Sequence, residues 1–203
     1  MVSKHNFVEV EFNSFTDHGD LAKAAVDGEI LARKGVGRVR IMPTEGKNLT
    51  VDVFVTHTAA DPDPSHGYNN SYYREKQVRE LVDSYLSKST ADIVILGGDF
   101  NAEPQDSPYQ MIKKLMQNCV QELFYKWDEW LKPRFATYGN ERNTFSGGGA
   151  QKPIIYDYIF HFSAKNISWT NWFDLPWMTL TQNGTSFSLS DHESIESVIY
   201  FWK

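Results

Sequence analysis

The chain has 203 residues, 41% of them hydrophobic and 14% aromatic, which is enough to bury the core of a single domain. Lys and Arg total 20 against 26 Asp and Glu, and the formal charge of -6 argues against a protein that holds nucleic acid mainly through a general basic surface. Cys119 is the only cysteine, so an internal disulfide and a cysteine metal cluster are excluded.

The sequence also bears on membrane insertion and location. No stretch approaches the roughly 18 consecutive apolar residues of a membrane span, and the start MVSKHNF lacks the apolar core of a signal peptide. We therefore expect no transmembrane segment, at most a peripheral membrane contact, and a cytoplasmic or membrane-peripheral location. Four asparagines stand in N-x-S/T triplets, which arise often by chance and leave the compartment open: Asn48, Asn69, Asn166 and Asn183.

Two strands are predicted in the first third of the chain. VGRVRIM (36–42) is the first, and LTVDVFVTH (49–57) is the second, with valine at alternate positions. The polar EGKN (45–48) between them predicts a hairpin turn.

A helix and a buried strand follow. Between Tyr72 and Leu86 apolar residues recur at helical spacing with charges between them, which predicts an amphipathic helix. The apolar run DIVIL (92–96) predicts a buried strand that breaks at Gly97 and Gly98.

The second half of the chain predicts one more helix and further strands. Ser107 and Pro108 resemble an N-cap followed by a first helical proline, opening a helix to about Asn118. Residues 124–153 give no assignable pattern. The remaining predicted strands are IIYDYIFHF (154–162), ISWTNWF (167–173) and IESVIYFWK (195–203). About six or seven strands and two helices indicate one mixed domain over residues 1–203.

Polar residues lie at or near the ends of these strands, where a rigid sheet can hold side chains from distant parts of the sequence. They are His57, Asp99, Asn101, Asp157, Asp191 and His192. Most of these residues also have a structural explanation: the histidine could be a hydrogen-bonded structural residue, and the others could form turns. Asp157 is the least easily explained in that way, because an aspartate among Ile, Tyr and Phe is destabilising without a partner. Together they predict an active site.

Four short motifs, THT (56–58), GGDFN (97–101), YDYIF (156–160) and SDH (190–192), occur in this order. They resemble the endonuclease/exonuclease/phosphatase superfamily, the fold of DNase I. Three more segments are similar to the neutral sphingomyelinases: HGD (18–20), RKGVGRVRI (33–41) and YYREKQVREL (72–81). The resemblance implies an α+β fold, a DNase I-like four-layer α/β sandwich of two mixed sheets flanked by helices.

The resemblance further implies hydrolysis of a phosphate ester with Mg²⁺ and an attacking water. By this similarity His192 would be the general base, and Asp157 would hold its ring and favour the imidazolium that forms. Asp191 would bind the metal or order the water network. Hard oxygen ligands fit Mg²⁺ better than Zn²⁺.

The other matching residues would contact the substrate. Asp99 and Asn101 would position the attacking water and a phosphate oxygen. His57 would donate a hydrogen bond to a phosphate oxygen, most effectively when protonated.

The same resemblance implies a gap. Superfamily members carry an Asn-bearing strand and a Q-E segment with the principal metal-binding glutamate before the segment that corresponds to SKH (3–5). We therefore expect a domain incomplete at its N-terminus. Such a chain would be a shortened form with impaired activity, or one that completes itself by dimerisation.

The segment SWTNWFDLPWM (168–178) bears on the substrate. Trp172, Phe173 and Trp177 could belong to a strand core and a packed loop, or to an aromatic hairpin tip that enters a membrane interface. We expect a sphingomyelin phosphodiesterase, with another nuclease or phosphatase of this fold, or a non-catalytic module, as alternatives. Nucleic acid is the less expected partner.

Overall fold

A computed structural model describes residues 1, 3–19, 33–43, 49–60, 70–118, 136–139, 143, 153–163, 168–174, 179–183 and 185–202. The α-helices among these residues are α1 (Ser71–Glu80) and α2 (Ser107–Leu115). The strands are β1 (Phe7–Ser14), β2 (Gly35–Ile41), β3 (Val51–His57), β4 (Ile93–Asp99), β5 (Gln117–Asn118), β6 (Asp157–Ser163), β7 (Ser168–Asp174), β8 (Thr179–Gln182), β9 (Thr185–Ser188) and β10 (Glu196–Trp202).

The chain divides into two compact units. The first comprises Met1–Gln117 with Phe160–Ile167, and the second Asn118–Ile159 with Ser168–Lys203.

The principal sheet has the strand order β1-β2-β3-β4-β6-β5. β1 pairs with β2 and β2 with β3 in antiparallel register, whereas β3 and β4 are parallel. Gly35 is the register partner of His57, and His57 is the partner of Asp99. The start of β2 and the ends of β3 and β4 therefore lie side by side at one edge of the sheet.

The core of the first unit is formed by aromatic and aliphatic side chains of β3, β4, β6 and the two helices. The ring of Phe160 packs edge-to-face on Phe100 with 5.6 Å between ring centroids, and Tyr109 lies 5.6 Å from the same ring. Leu81 and Leu96 are also fully buried. Each such side chain contributes roughly 1.5–3 kcal/mol through burial, which keeps the strands that carry the polar ends rigid.

A buried carboxylate links two strands and the segment after the first helix. Asp52 on β3 is fully buried, and both its oxygens accept hydrogen bonds from Arg40 at 2.7 and 2.8 Å. Ser89 Oγ donates to it at 2.6 Å. Burial opposes the ionised carboxylate, but the hydrogen bonds from Arg40, Ser89 and Arg38 outweigh it and lower the pKa of Asp52.

Two separate strand pairs lie among the described residues of the second unit. β7 and β10 pair antiparallel, and β8 and β9 form a hairpin. Asn183 in the hairpin turn has a φ of 52°, a left-handed conformation that asparagine tolerates better than most residues. The cross-strand partners Leu180 and Phe187 are 56% and 44% exposed. Among the described residues, no helix is long and apolar enough to cross a bilayer.

The predicted helices exist with shifted ends. The helix predicted from Tyr72 to Leu86 is α1, and it continues as a π-helical turn over Leu81–Tyr85 and a 3₁₀ turn over Leu86–Lys88. The second helix begins at Ser107 with Asp106 as its N-cap, so Pro108 is one position further into the helix than predicted. It ends at Leu115, because Gln117–Asn118 form a short strand.

The observed strands differ from the predicted strands more than the observed helices differ from the predicted helices. β4 does not break at Gly97 but runs to Asp99, since pairing with β3 continues through both glycines. β6 begins at Asp157, so this aspartate starts the strand and does not interrupt it. Four strands were not predicted: β1, β5, β8 and β9. The predicted turn at 45–48 lies outside the described residues, as does most of 124–153.

Candidate active site

Three polar side chains lie in a row at the sheet edge of the first unit. Nε2 of His57 is 3.4 Å from Oδ2 of Asp99, and Nζ of Lys34 is 3.1 Å from the same Nε2 and 3.3 Å from Nδ1. The His57 side chain is 53% exposed and that of Asp99 is 16% exposed, whereas Lys34 is buried. The register of β2, β3 and β4 produces this row, since each residue ends or precedes its strand.

Glycine before Asp99 allows the close approach of β4 to β3. Gly98 has a φ of 150°, and a Cβ at this position would lie 2.0 Å from the carbonyl oxygen of Thr56. Any side chain would therefore push β4 away from β3 and displace the carboxylate that follows.

Asp99 and Asn101 form a turn, which was the structural role predicted as an alternative for these two residues. The Asn101 amide donates to Oδ1 of Asp99 at 2.8 Å, and Asn101 has a left-handed φ of 45°. Asn101 Nδ2 donates to the carbonyl of Thr58 at 3.1 Å. These bonds fix both side chains. The second carboxylate oxygen of Asp99, Oδ2, lies near His57.

The second unit holds the other pair of predicted residues. Nδ1 of His192 lies 2.7 Å from Oδ2 of Asp157, and the two side chains are 22% and 19% exposed. Oγ1 of Thr137 accepts from the amide of Asp157 at 3.2 Å, which holds the start of β6. The Tyr138 ring packs against the imidazole with 5.0 Å between ring centroids.

Hydrogen bonds also hold the loop that carries His192. Asn143 Nδ2 donates to the carbonyl of Ser190 at 2.9 Å, and the Glu193 amide donates to the carbonyl of Thr137 at 2.7 Å. Ser190 Oγ accepts from the His192 amide at 3.2 Å and lies 3.3 Å from Oδ1 of Asp191. Asn143 and Thr137 are buried, whereas Asp191 is exposed at the turn.

The geometry of His192 and Asp157 is that of a general base with an orienting acid. A carboxylate only accepts hydrogen bonds, so the proton of a neutral imidazole is placed on Nδ1 and the lone pair on Nε2. An Nε2 in that state can remove a proton from water, and the carboxylate stabilises the imidazolium that results.

Sequence reasoning missed four residues that shape these groups: Lys34, Thr137, Tyr138 and Asn143. Lys34 had a signal, since it lies two positions before the strand that was predicted to form a hairpin with the His57 strand. The others fall in or beside the stretch 124–153, where no periodicity indicates which residues approach the SDH segment.

Two of the three residues predicted to contact a membrane lie in a described strand. Trp172 and Phe173 lie inside β7, where they are register partners of Val198 and Ser197. The ISWTNWF segment thus pairs with β10, and its contact with a membrane stays a prediction. Trp177 lies outside the described residues. The hairpin in this part of the described chain is β8–β9.

Comparisons with known proteins agree with the fold. The profile of the Endonuclease/Exonuclease/phosphatase family matches residues 1–192. Similar solved structures include SmcL (TM-score 0.64, 21% identity, 99% of this chain and 67% of that one) and beta toxin from Staphylococcus aureus (0.63, 18%, 97% and 65%). D. rerio TDP2, complexed with single strand DNA product, is also similar (0.62, 18%, 97% and 68%).

The chain thus spans about two thirds of the length of these structures. At such identities the likeness shows the fold, and the predicted DNase I-like α+β sandwich is confirmed. No curated protein matches the chain in a sequence comparison.

Proposed function

Because the chain belongs to the endonuclease/exonuclease/phosphatase family, we propose that it is a metal-dependent phosphodiesterase that hydrolyses sphingomyelin to ceramide and phosphocholine. The contact of 2.7 Å between His192 Nδ1 and Asp157 Oδ2 carries this proposal. A histidine oriented by a carboxylate is the group that activates water for attack on phosphorus.

The proposed reaction begins with His192. Its Nε2 removes a proton from water as the oxygen attacks phosphorus, and Asp157 keeps the ring oriented and stabilises its positive charge. The phosphorus–oxygen bond to ceramide breaks, and the ceramide oxygen takes up a proton. Thr137 and Tyr138 restrict movement of the two catalytic side chains.

The proposed role of the row at the sheet edge is to bind a phosphate oxygen. His57 is exposed enough to meet a phosphate oxygen, and Asp99 is held on one oxygen by the Asn101 amide. Fixed polar groups of this kind lower the barrier because they need no reorganisation as charge develops.

The residues present fit Mg²⁺ as the cofactor. Asp191 is an exposed carboxylate next to the proposed base, and Mg²⁺ typically binds one or two carboxylates and keeps several waters. Asp191 would hold the ion, which would stabilise negative charge on the phosphoryl oxygens.

Exposed apolar side chains support a lipid substrate over a soluble one. Leu180 and Phe187 face each other across the β8–β9 hairpin, and Leu189 follows it at 56% exposure. This apolar group lies in the chain directly before Ser190, Asp191 and His192. We propose that it contacts the membrane surface peripherally, with Trp172, Phe173 and Trp177 as further candidates.

The test is Mg²⁺-dependent release of phosphocholine from sphingomyelin liposomes by the purified chain, with His192→Ala as the control. Plasmid nicking is measured in parallel on the same preparations. Release that disappears in the variant supports the proposal. Nicking without phosphocholine release would assign the chain to the nucleases, and inactivity in both assays would favour a non-catalytic role through protein or lipid contacts.

A further inference from the structure

The contact between Lys34 and His57 restricts the chemical state of the imidazole. Lys34 is 8% exposed, and its ammonium lies 3.1 and 3.3 Å from the two ring nitrogens of His57. Oδ2 of Asp99 lies 3.4 Å from Nε2 of the same ring. The imidazole thus contacts both a cation and a carboxylate.

The donors and acceptors of all three groups match when Nε2 donates to Asp99 and Nδ1 accepts from Lys34. An ammonium can only donate hydrogen bonds and a carboxylate can only accept them, whereas a neutral imidazole does one of each. An imidazolium would have no nitrogen left to accept from Lys34 and would place two cations about 3 Å apart, which is repulsive.

We propose that Lys34 is a positioning residue that holds His57 as a neutral imidazole. In this state Nδ1 accepts from the Lys34 ammonium, and the ring proton is on Nε2, facing Asp99. The inference rests on the proposed function only in assigning this row to the phosphate. It replaces the expectation that His57 acts in its protonated form, because the positive charge of the row belongs to Lys34.

This arrangement explains why a lysine is buried at the start of β2. The register partner of His57 is Gly35, so the residue before it is at the right height to reach the imidazole. A buried ammonium is costly unless hydrogen bonds compensate it, and His57 supplies one of them. The same bond restrains an exposed ring that would otherwise choose freely among rotamers and tautomers.

The first experiment reads the ring directly. In protein labelled with ¹⁵N-histidine, long-range ¹H–¹⁵N spectra at pH 7.5 distinguish imidazolium from the two neutral tautomers. We expect the wild-type His57 to be neutral with its proton on Nε2. Lys34→Met should produce exchange between tautomers, and Lys34→Arg should preserve the wild-type pattern. Lys76→Met is the control, since Lys76 pairs with Asp17 on the surface.

A protonated wild-type ring, or an unchanged His57 pattern in Lys34→Met, would overturn the inference. The wild-type spectrum alone decides the protonation state, so the test stands even where Lys34→Met unfolds. The spectra need no substrate, so an inactive chain would refute the proposed function and leave this test intact.

Kinetics then separate positioning from folding. On the substrate that the chain hydrolyses, Lys34→Met should lower kcat by roughly 10- to 100-fold, the loss typical when a partner that orients a functional histidine is removed. The Tm of Lys34→Met should show that this variant is still folded under the assay conditions. Lys34→Arg should restore part of kcat. Equal kcat in Lys34→Met and Lys76→Met would contradict the role.

Discussion

The Nδ1 atom of His192 lies 2.7 Å from Oδ2 of Asp157, although 35 positions separate the two residues in the chain. The carboxylate lies at the start of β6, and the imidazole lies on a loop that is held by hydrogen bonds at Ser190 and Glu193. Both supports are hydrogen bonds to buried residues, Asn143 and Thr137. The pair is thereby held in place by the fold itself, which is the condition for the acid–base role proposed for it.

We expect Asp157→Asn to lower kcat by about 10²- to 10⁴-fold, the size of general base effects. An amide can turn its NH₂ group to His192, which then carries its proton on Nε2 and cannot act as base. Turnover on sphingomyelin liposomes measures the effect. Asp83→Asn, on the exposed face after α1, is the matched control. Comparable turnover in the two variants would contradict the role of Asp157.

Gly98→Ala should destabilise the protein by about 1–3 kcal/mol, because alanine is strained at a φ of 150° and its Cβ would meet the Thr56 carbonyl. Gly37→Ala is a milder control, since its Cβ would lie 3.2 Å from a side-chain methyl of Val55. Urea unfolding of both variants gives the comparison. Equal loss of stability at the two sites would show that the β3–β4 approach does not depend on Gly98.

Periodicity and turn residues predicted much of the fold. The apolar runs that became β3 and β4 are continuous enough to be identified without partners, and the residues after them are polar because they lie at a sheet edge. β1 was missed although Val8, Val10 and Phe12 alternate with polar residues. This edge strand is exposed along its length, so no long apolar run indicates it.

The site could be predicted as a set of residues but not as a geometry. Asp157 was identified because a carboxylate beside a buried aromatic strand needs a partner, and the partner is His192. Lys34 was not identified, since its relation to His57 depends on the register of β2 against β3, which composition does not reveal.

Acid should remove a specific part of the stability through Asp52. Because its pKa is lowered in the folded state, its contribution is complete above the unfolded pKa of about 3.9. It is lost as the pH falls through the lower, folded value. Asp52→Asn should cost about 3–5 kcal/mol at pH 7, since it leaves Arg40 and Arg38 without their buried counter-ion.

Urea unfolding from pH 7 down to pH 3 measures this contribution. The gap in unfolding free energy between wild type and Asp52→Asn should be constant near neutral pH and narrow in acid. The exposed Asp83→Asn serves as the control for removing one carboxylate. A gap that stays constant to pH 3 would show that Asp52 is not the group whose protonation weakens the fold.

The β8–β9 hairpin should determine how strongly the chain binds to membranes. Phe187→Ser removes an aromatic ring that is 44% exposed, and the loss of its partial burial in lipid should weaken binding roughly 10-fold. Flotation with sphingomyelin-containing liposomes measures binding. Phe162→Ser, at 41% exposure on β6, makes the same chemical change at another site. We expect Phe162→Ser to bind like wild type, because Phe162 is not part of the hairpin. Weaker binding by both variants would instead indicate a general effect of the gain in polarity. Equal binding by Phe187→Ser and wild type would exclude the hairpin as the lipid contact.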